Sequence, residues 1–244
     1  MANEYRECGF LAQARPLADP SVVPKLLVDE QMFADALESM RAEGRQGVPY
    51  MLTDAICRIA QDASILVAVE AILETSQWVM WGANIRRDTP NQAHQWHVDL
   101  ESFLWPTVTV AIGLAGCTPE AATWCIPGTH LSGKGPPSKE ASVLAHGHPE
   151  QIEGFGNGRF YVFDARGWHR GDPATSRERV VLFIHYQRAE EARIPLMVDY
   201  QRQLWAKEAS PYFTTVARER LCTDLARLPW WYRLNRWMKR TRRR

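Results

Sequence analysis

The chain is poor in the features that mark several specialised protein classes. Its 244 residues hold five cysteines, Cys8, Cys57, Cys117, Cys125 and Cys222, an odd and scattered set with no Cys-x-x-Cys pair. That spacing argues against a disulfide scaffold or a zinc ribbon and fits reduced thiols in a cytoplasm. No uninterrupted apolar run approaches the ~20 residues that cross a bilayer. Residues 1–7 lack the basic-then-apolar pattern of a secretory leader. With a net charge of +1 there is no basic excess to argue for a nucleic-acid partner. Internal repeats and low-complexity tracts are also missing.

What is present reads as one globular domain over residues 1–244, with 45% hydrophobic residues in 27.9 kDa. Apolar residues at mixed three- and four-residue spacings predict helices over about 24–41 and 53–74. The pattern then changes to short β-branched and aromatic runs, at 76–85, 106–114, 122–126, 160–163 and 179–186, separated by Gly, Pro and Asp. Helices followed by such strands predict an α+β fold, with the strands forming a double-sheet jelly roll. The stretch 131–149 reads as a loop, either a lid or a mobile surface segment.

Chemistry concentrates in His97-Val98-Asp99 and, far downstream, His169 and Arg179. Side chains alternate across a strand, so His97 and Asp99 point one way and Val98 the other. Two imidazoles and one carboxylate on one face of an ion form the triad of non-haem Fe(II) oxygenases, which leaves the opposite face open. An isolated His-x-Asp is common in solvated loops; its weight comes from its company. That company is Ile126-Pro127-Gly128-Thr129-His130, the run from Gly158 through Phe163 to His169, and Ser176 and Arg179 leading into Val180-Val181-Leu182-Phe183-Ile184-His185-Tyr186.

Taken together, residues of about 77–187 resemble the phytanoyl-CoA dioxygenase-like family of Fe(II)/2-oxoglutarate oxygenases. The matching positions are His97 and Asp99, the turn Pro127 to His130 with Thr in place of Ser, Phe163, His169, Ser176, Arg179 and Tyr186. The chain departs from the family at Ala174, where an Asn is usual, and in a loop after His169 that is one residue short. The resemblance implies a double-stranded β-helix with N-terminal helices packed on it. It also implies His97, Asp99 and His169 as metal ligands, and Fe(II), 2-oxoglutarate and O₂ as cofactor and cosubstrates. A planar guanidinium suits the distal carboxylate of 2-oxoglutarate. Arg179 is preferred for this, and Ser176 would add a hydrogen bond. Arg177 shares its strand face, so register alone does not choose between the two arginines. The implied reaction is hydroxylation of a C–H bond with release of succinate and CO₂. Presence of Asp99 favours oxygenation over halogenation, with ring closure and desaturation as further outcomes within the family. The alternatives are a cupin-like metal-dependent hydrolase or isomerase, and a non-catalytic binding homologue.

Other side chains have two readings each. Glu101 and Phe103 continue the ligand face and are candidate substrate contacts. His130 either borders the cavity or stabilises its turn, and His185 either contacts substrate or is a satisfied core histidine. His146 and His148 read as loop, His94 as an exposed approach to the metal strand, and Trp96 and Trp168 as core. The C-terminal tail, about 212–244, interleaves aromatic and aliphatic residues with Arg and Lys and has no acid after Asp224. It predicts a helical extension, either resting on anionic lipid as a peripheral membrane contact or packed on the barrel. A small-molecule or amphiphilic substrate fits both.

Overall fold

The structure, a computed structural model, describes residues 1–29, 42, 47–49, 54–90, 94–99, 107–131, 143–171 and 177–188. Most of the expected 24–41 helix and the whole 212–244 extension lie outside them. Helix α1 (Ala2–Cys8) stops at Gly9, which takes the left-handed φ of 86° and returns its N–H to the Tyr5 carbonyl at 2.8 Å. Helix α2 is Val22–Asp29.

The long helix expected over 53–74 is two helices, α3 (Asp54–Ile59) and α4 (Ala63–Leu73). Asp62 causes the break. An aspartate competes for backbone N–H groups and is better placed at a helix start than in its interior. Here its carboxylate caps α4 by accepting from Ser64 N–H at 2.9 Å, and it also accepts from Ala18 and Asp19 N–H at 3.1 and 3.2 Å. One side chain thereby starts a helix and ties down the N-terminal segment.

The strands are β1 (Arg15–Pro16), β2 (Gly47–Pro49), β3 (Trp78–Asp88), β4 (Val108–Ala115), β5 (Thr123–Cys125), β6 (Glu150–Gln151), β7 (Arg159–Asp164), β8 (His169–Gly171) and β9 (Arg179–Arg188). They form a six-stranded sheet, β1-β7-β4-β9-β3-β2, and a three-stranded sheet, β6-β5-β8, with every named ladder antiparallel. The five expected strands are all present. β1, β2 and β6 were not foreseen, because two or three residues carry no readable period.

Alternation on these strands sorts the interior into two layers. Val180, Leu182, Ile184 and Tyr186 of β9 join Val108, Val110 and Ile112 of β4 in an apolar layer with Ile56, Ile65 and Val69 of the helices. Each such side chain contributes ~1.5–3 kcal/mol on full burial, and the Tyr186 hydroxyl donates to the Ala60 carbonyl at 2.8 Å. The odd-numbered residues of β9 face the other way, towards the second sheet, where Ala111, Tyr161, Phe163 and Val181 meet Ala122 and Cys125. In β3 a register shift between Met80 and Gly82 reverses the parity. Met80 therefore belongs to the helix-side layer, as do Ala83 and Ile85, while Asn84, Arg86 and Asp88 turn towards the space between the sheets. No helix among the described residues is long and apolar enough to cross a membrane.

Candidate metal centre

His97 does not lie on a regular strand, as the spacing predicted, but on an extended segment, residues 94–99, that meets β8 through one antiparallel bridge. His97 and His169 exchange both backbone bonds at 3.0 Å, and Asp99 N–H donates to Ala165 at 2.8 Å. Two-residue alternation survives without a full ladder. Trp96 and Val98 enter an apolar cluster with Ile126, Val143 and Trp168, so the side chains next to the three polar residues anchor the wall from behind. His97, Asp99 and His169 face the cavity, each offering one ligand atom, and these atoms lie within 4.8 Å of one another.

Both imidazoles are set in one tautomer by the backbone. His97 Nδ1–H donates to the Gln95 carbonyl and His169 Nδ1–H to the Gly167 carbonyl, each at 2.9 Å. That leaves Nε2 of both rings as the lone-pair donor, the orientation that outer hydrogen bonds impose on metal-binding histidines. Burial, followed by the neighbouring His97, pushes His169 well below the ordinary histidine value, which keeps it neutral and able to ligate. Two oriented imidazole nitrogens and one carboxylate are a donor set that fits a first-row divalent ion.

The turn at 126–130 supports this wall rather than lining the cavity. Thr129 Oγ1 donates to Ile126 O at 2.7 Å and accepts from Trp168 N–H at 2.9 Å, which fixes the residue before His169. His130 faces away from the cavity. Its Nε2–H donates to Arg6 O at 3.0 Å, and its ring packs so closely on Gly9 that a Cβ there would stand 2.5 Å from Nδ1. Of its two readings, this geometry is the turn-stabilising one.

A cavity of about 220 Å³ opens between the sheets at the triad. Its walls are aromatic near the centre, where Phe163 stands 4.9 Å from the His169 ring and Thr123 bonds the Tyr161 hydroxyl at 2.5 Å. One end is neutral and polar. There, His185 Nε2–H donates to Asn84 Oδ1 at 2.9 Å and Nδ1 accepts from the Thr109 hydroxyl at 3.2 Å. Burial pushes this histidine down to about 4. It is thus both a satisfied buried histidine and part of the cavity lining.

The other end is charged. Arg179 is buried and its Nε and Nη2 donate to Asp88 Oδ2 at 3.0 and 2.5 Å, while Arg86 Nε donates to Asp88 Oδ1 at 2.8 Å. Burial raises the Asp88 carboxyl, but Arg86 and Arg179 outweigh it and hold the group below the usual carboxylate range. His94, expected to be exposed, is buried here, 3.4 Å from Asp88 Oδ1 and in contact with Arg86 Nη2. Burial and then Arg86 push it down to about 4, so it adds no charge near neutrality. Arg177 is exposed. Glu101, Phe103 and Ser176 lie outside the described residues, as does 132–142 of the expected loop; His146 and His148 are exposed.

No protein-family model matches the chain, and no curated protein does. Solved structures do. ThoJ, a non-haem monooxygenase in complex with nickel, is similar at 17% identity over 90% of this chain and 96% of that one, with a TM-score of 0.60. The epimerase SnoN, in complex with Fe3+, alpha ketoglutarate and nogalamycin RO, is similar at 17% identity over 93% and 96%, with a TM-score of 0.58. EctD from S. alaskensis with bound Fe is similar at 19% identity over 80% and 78%, with a TM-score of 0.58. The chain shares their fold.

Sequence reasoning missed Asn84, Arg86, Asp88, Thr123 and Tyr161 as cavity residues. For the first three a signal existed: polar or charged residues at every second position, 84, 86 and 88, of a strand whose remaining residues are apolar apart from Arg87. Reading it required extending β3 to residue 88.

Proposed function

We propose that the chain is an Fe(II)- and 2-oxoglutarate-dependent dioxygenase of the phytanoyl-CoA dioxygenase-like type that hydroxylates an unactivated C–H bond of a small molecule. The observation that carries this reading is the convergence of His97, Asp99 and His169, with both imidazoles held in the ligating tautomer, on a cavity that also receives Arg179. The two sheets are read as the two halves of a double-stranded β-helix, as expected from the likeness in fold to ThoJ and SnoN.

The three triad residues would hold the metal, which when bound would supply O₂ activation coupled to decarboxylation of the 2-oxo acid. The protein's own contribution is placement. His97 and Asp99 come from one extended segment and His169 from β8, cross-linked by the bridge between them, so the donors are pre-positioned on one side of the cavity. Arg179, two oxygens' width of guanidinium at the charged end, is assigned to the distal carboxylate of 2-oxoglutarate, and Ser176 to an added hydrogen bond. Phe163 and Val181 give the cavity an apolar wall. Charge supports the assignment: the four charged residues lining the cavity among those described, Arg86, Arg179, Asp88 and Asp99, sum to zero, so a divalent cation and a dianionic oxo acid enter together without residual charge.

The substrate is assigned to the remaining polar and aromatic end, with Glu101 and Phe103 as proposed contacts, and is a small-molecule or amphiphilic compound. A basic aromatic tail would suit a substrate met at a membrane surface. The test is an anaerobic titration with Fe(II) and then 2-oxoglutarate, with a visible charge-transfer band as the expected result. A metabolite-extract screen follows, for substrate-dependent succinate and a product heavier by one oxygen atom. Absence of the band, or turnover without succinate, refutes the reading in favour of a metal-dependent hydrolase or isomerase.

A further inference from the structure

The arginine expected to take an incoming carboxylate already holds one, which belongs to the protein. Arg179 directs two donors to Asp88 Oδ2, and the register of β3 against β9 places these residues directly opposite each other on the cavity face. A carboxylate at this distance cancels much of the field an arginine projects into a cavity. Arg179 therefore cannot attract an anion as an isolated cation would. Arg86 stands on the same strand face as Asp88, two residues earlier, and contacts the other carboxylate oxygen at 2.8 Å. It is only partly buried, and it too lines the cavity.

We propose that Arg86, Asp88 and Arg179 form one anion clamp of net charge +1, in which Arg86 restores the positive charge that Asp88 takes from Arg179 and so determines affinity for the distal carboxylate of the oxo acid. The inference rests on the 2-oxoglutarate reading above and adds a residue to it. His94 is the third neighbour of the Asp88 carboxylate, 3.4 Å from Oδ1, and is neutral near pH 7, so it leaves this balance unchanged. Gly171 faces the clamp from β8: a Cβ there would stand 2.8 Å from Arg179 Nη2, so the guanidinium lies flush against that strand. Asp88 sets where the guanidiniums point, and Arg86 sets how strongly the pair attracts an anion.

The test is isothermal titration of Mn(II)-loaded protein with 2-oxoglutarate and, separately, with 2-oxovalerate, which lacks the distal carboxylate. Arg86→Gln is expected to weaken 2-oxoglutarate about tenfold, the scale of one unit charge a few ångströms away at partial exposure, and to leave 2-oxovalerate within twofold of wild type. Arg86→Lys, which keeps the charge, retains most of the affinity. Arg86→Gln combined with Asp88→Asn restores the net charge and should recover 2-oxoglutarate binding, with circular dichroism confirming that each variant is folded. Unchanged affinity in Arg86→Gln, equal loss for both oxo acids, or no recovery in the double variant each overturns the clamp. Failure of the wild-type protein to bind 2-oxoglutarate is a different result and sinks the dioxygenase reading instead.

Discussion

Gly116 joins the fold to the charged end of the cavity, and replacing it with alanine separates the two contributions. The residue follows β4 in the left-handed region, at φ 63°, and a Cβ built on it would lie 1.9 Å from the Glu178 carbonyl oxygen and 3.4 Å from Arg179 Cα. Neither obstacle is a flexible side-chain end; both are backbone. The conformation costs an L-residue ~1–2 kcal/mol, and forcing a methyl group into a filled space costs ~1–3 kcal/mol more. Gly116→Ala should therefore lose about 2–5 kcal/mol, which for a domain of this size lowers Tm by roughly 5–15 °C. The strand end that must move carries Arg179, whereas the triad is held by a separate bridge to β8. Thermal unfolding by circular dichroism should show the drop, and titration at a temperature where the variant is folded should show weakened 2-oxoglutarate binding with Mn(II) affinity preserved. A Tm within ~2 °C of wild type, or loss of metal binding with oxo-acid binding intact, would refute the reasoning.

Asp99→Ala removes one of three donors. Wild-type protein at a hundredfold excess of Mn(II) over its Kd should gain ~2.7 kcal/mol, seen as a thermal shift. The variant should show little shift and form no succinate, and a shift equal to wild type counts against the triad. Arg179→Ala should raise the 2-oxoglutarate requirement, whereas exposed Arg177→Ala should leave it unchanged; the reverse result would move the anion site by two residues along the chain. Acid stability tests the buried pair. Asp88's folded pKa is depressed, so its contribution is full above the unfolded carboxylate value of ~3.9 and is lost as pH falls through the lower folded value. Asp88→Asn should be less stable at pH 7 and show a flatter acid limb below about pH 4 in urea melts. Parallel wild-type and variant limbs would mean that the carboxylate is not held by the guanidiniums.

Much of the site was legible because it obeys strand alternation. His97 and Asp99 share a face whether or not their segment completes a ladder, since two-residue periodicity belongs to the extended backbone and not to its hydrogen bonds. The same rule placed Arg179, Val181, Phe183 and His185 together and put Trp96 and Trp168 behind the ligand wall. It failed where a local event changed the count. Asp62 interrupts an apolar run that reads as one helix, because its carboxylate caps the second helix and also accepts from the N–H groups of Ala18 and Asp19, which only the fold brings to it. His94 reads as exposed because nothing adjacent in sequence reveals that Arg86 and Asp88 will surround it.

Composition, the apolar periods and the residue types at 97, 99, 169 and 179 were sufficient for the five expected strands and for nominating side chains that converge on the cavity. They could not say which of two faces β3 would turn to the cavity. A bulge at Met80 and Gly82 settles that, and with it the pairing of Asp88 against Arg179. Periodicity is a property of neighbours along the chain, whereas charge compensation depends on distance in space, and across 91 residues only folding sets that distance.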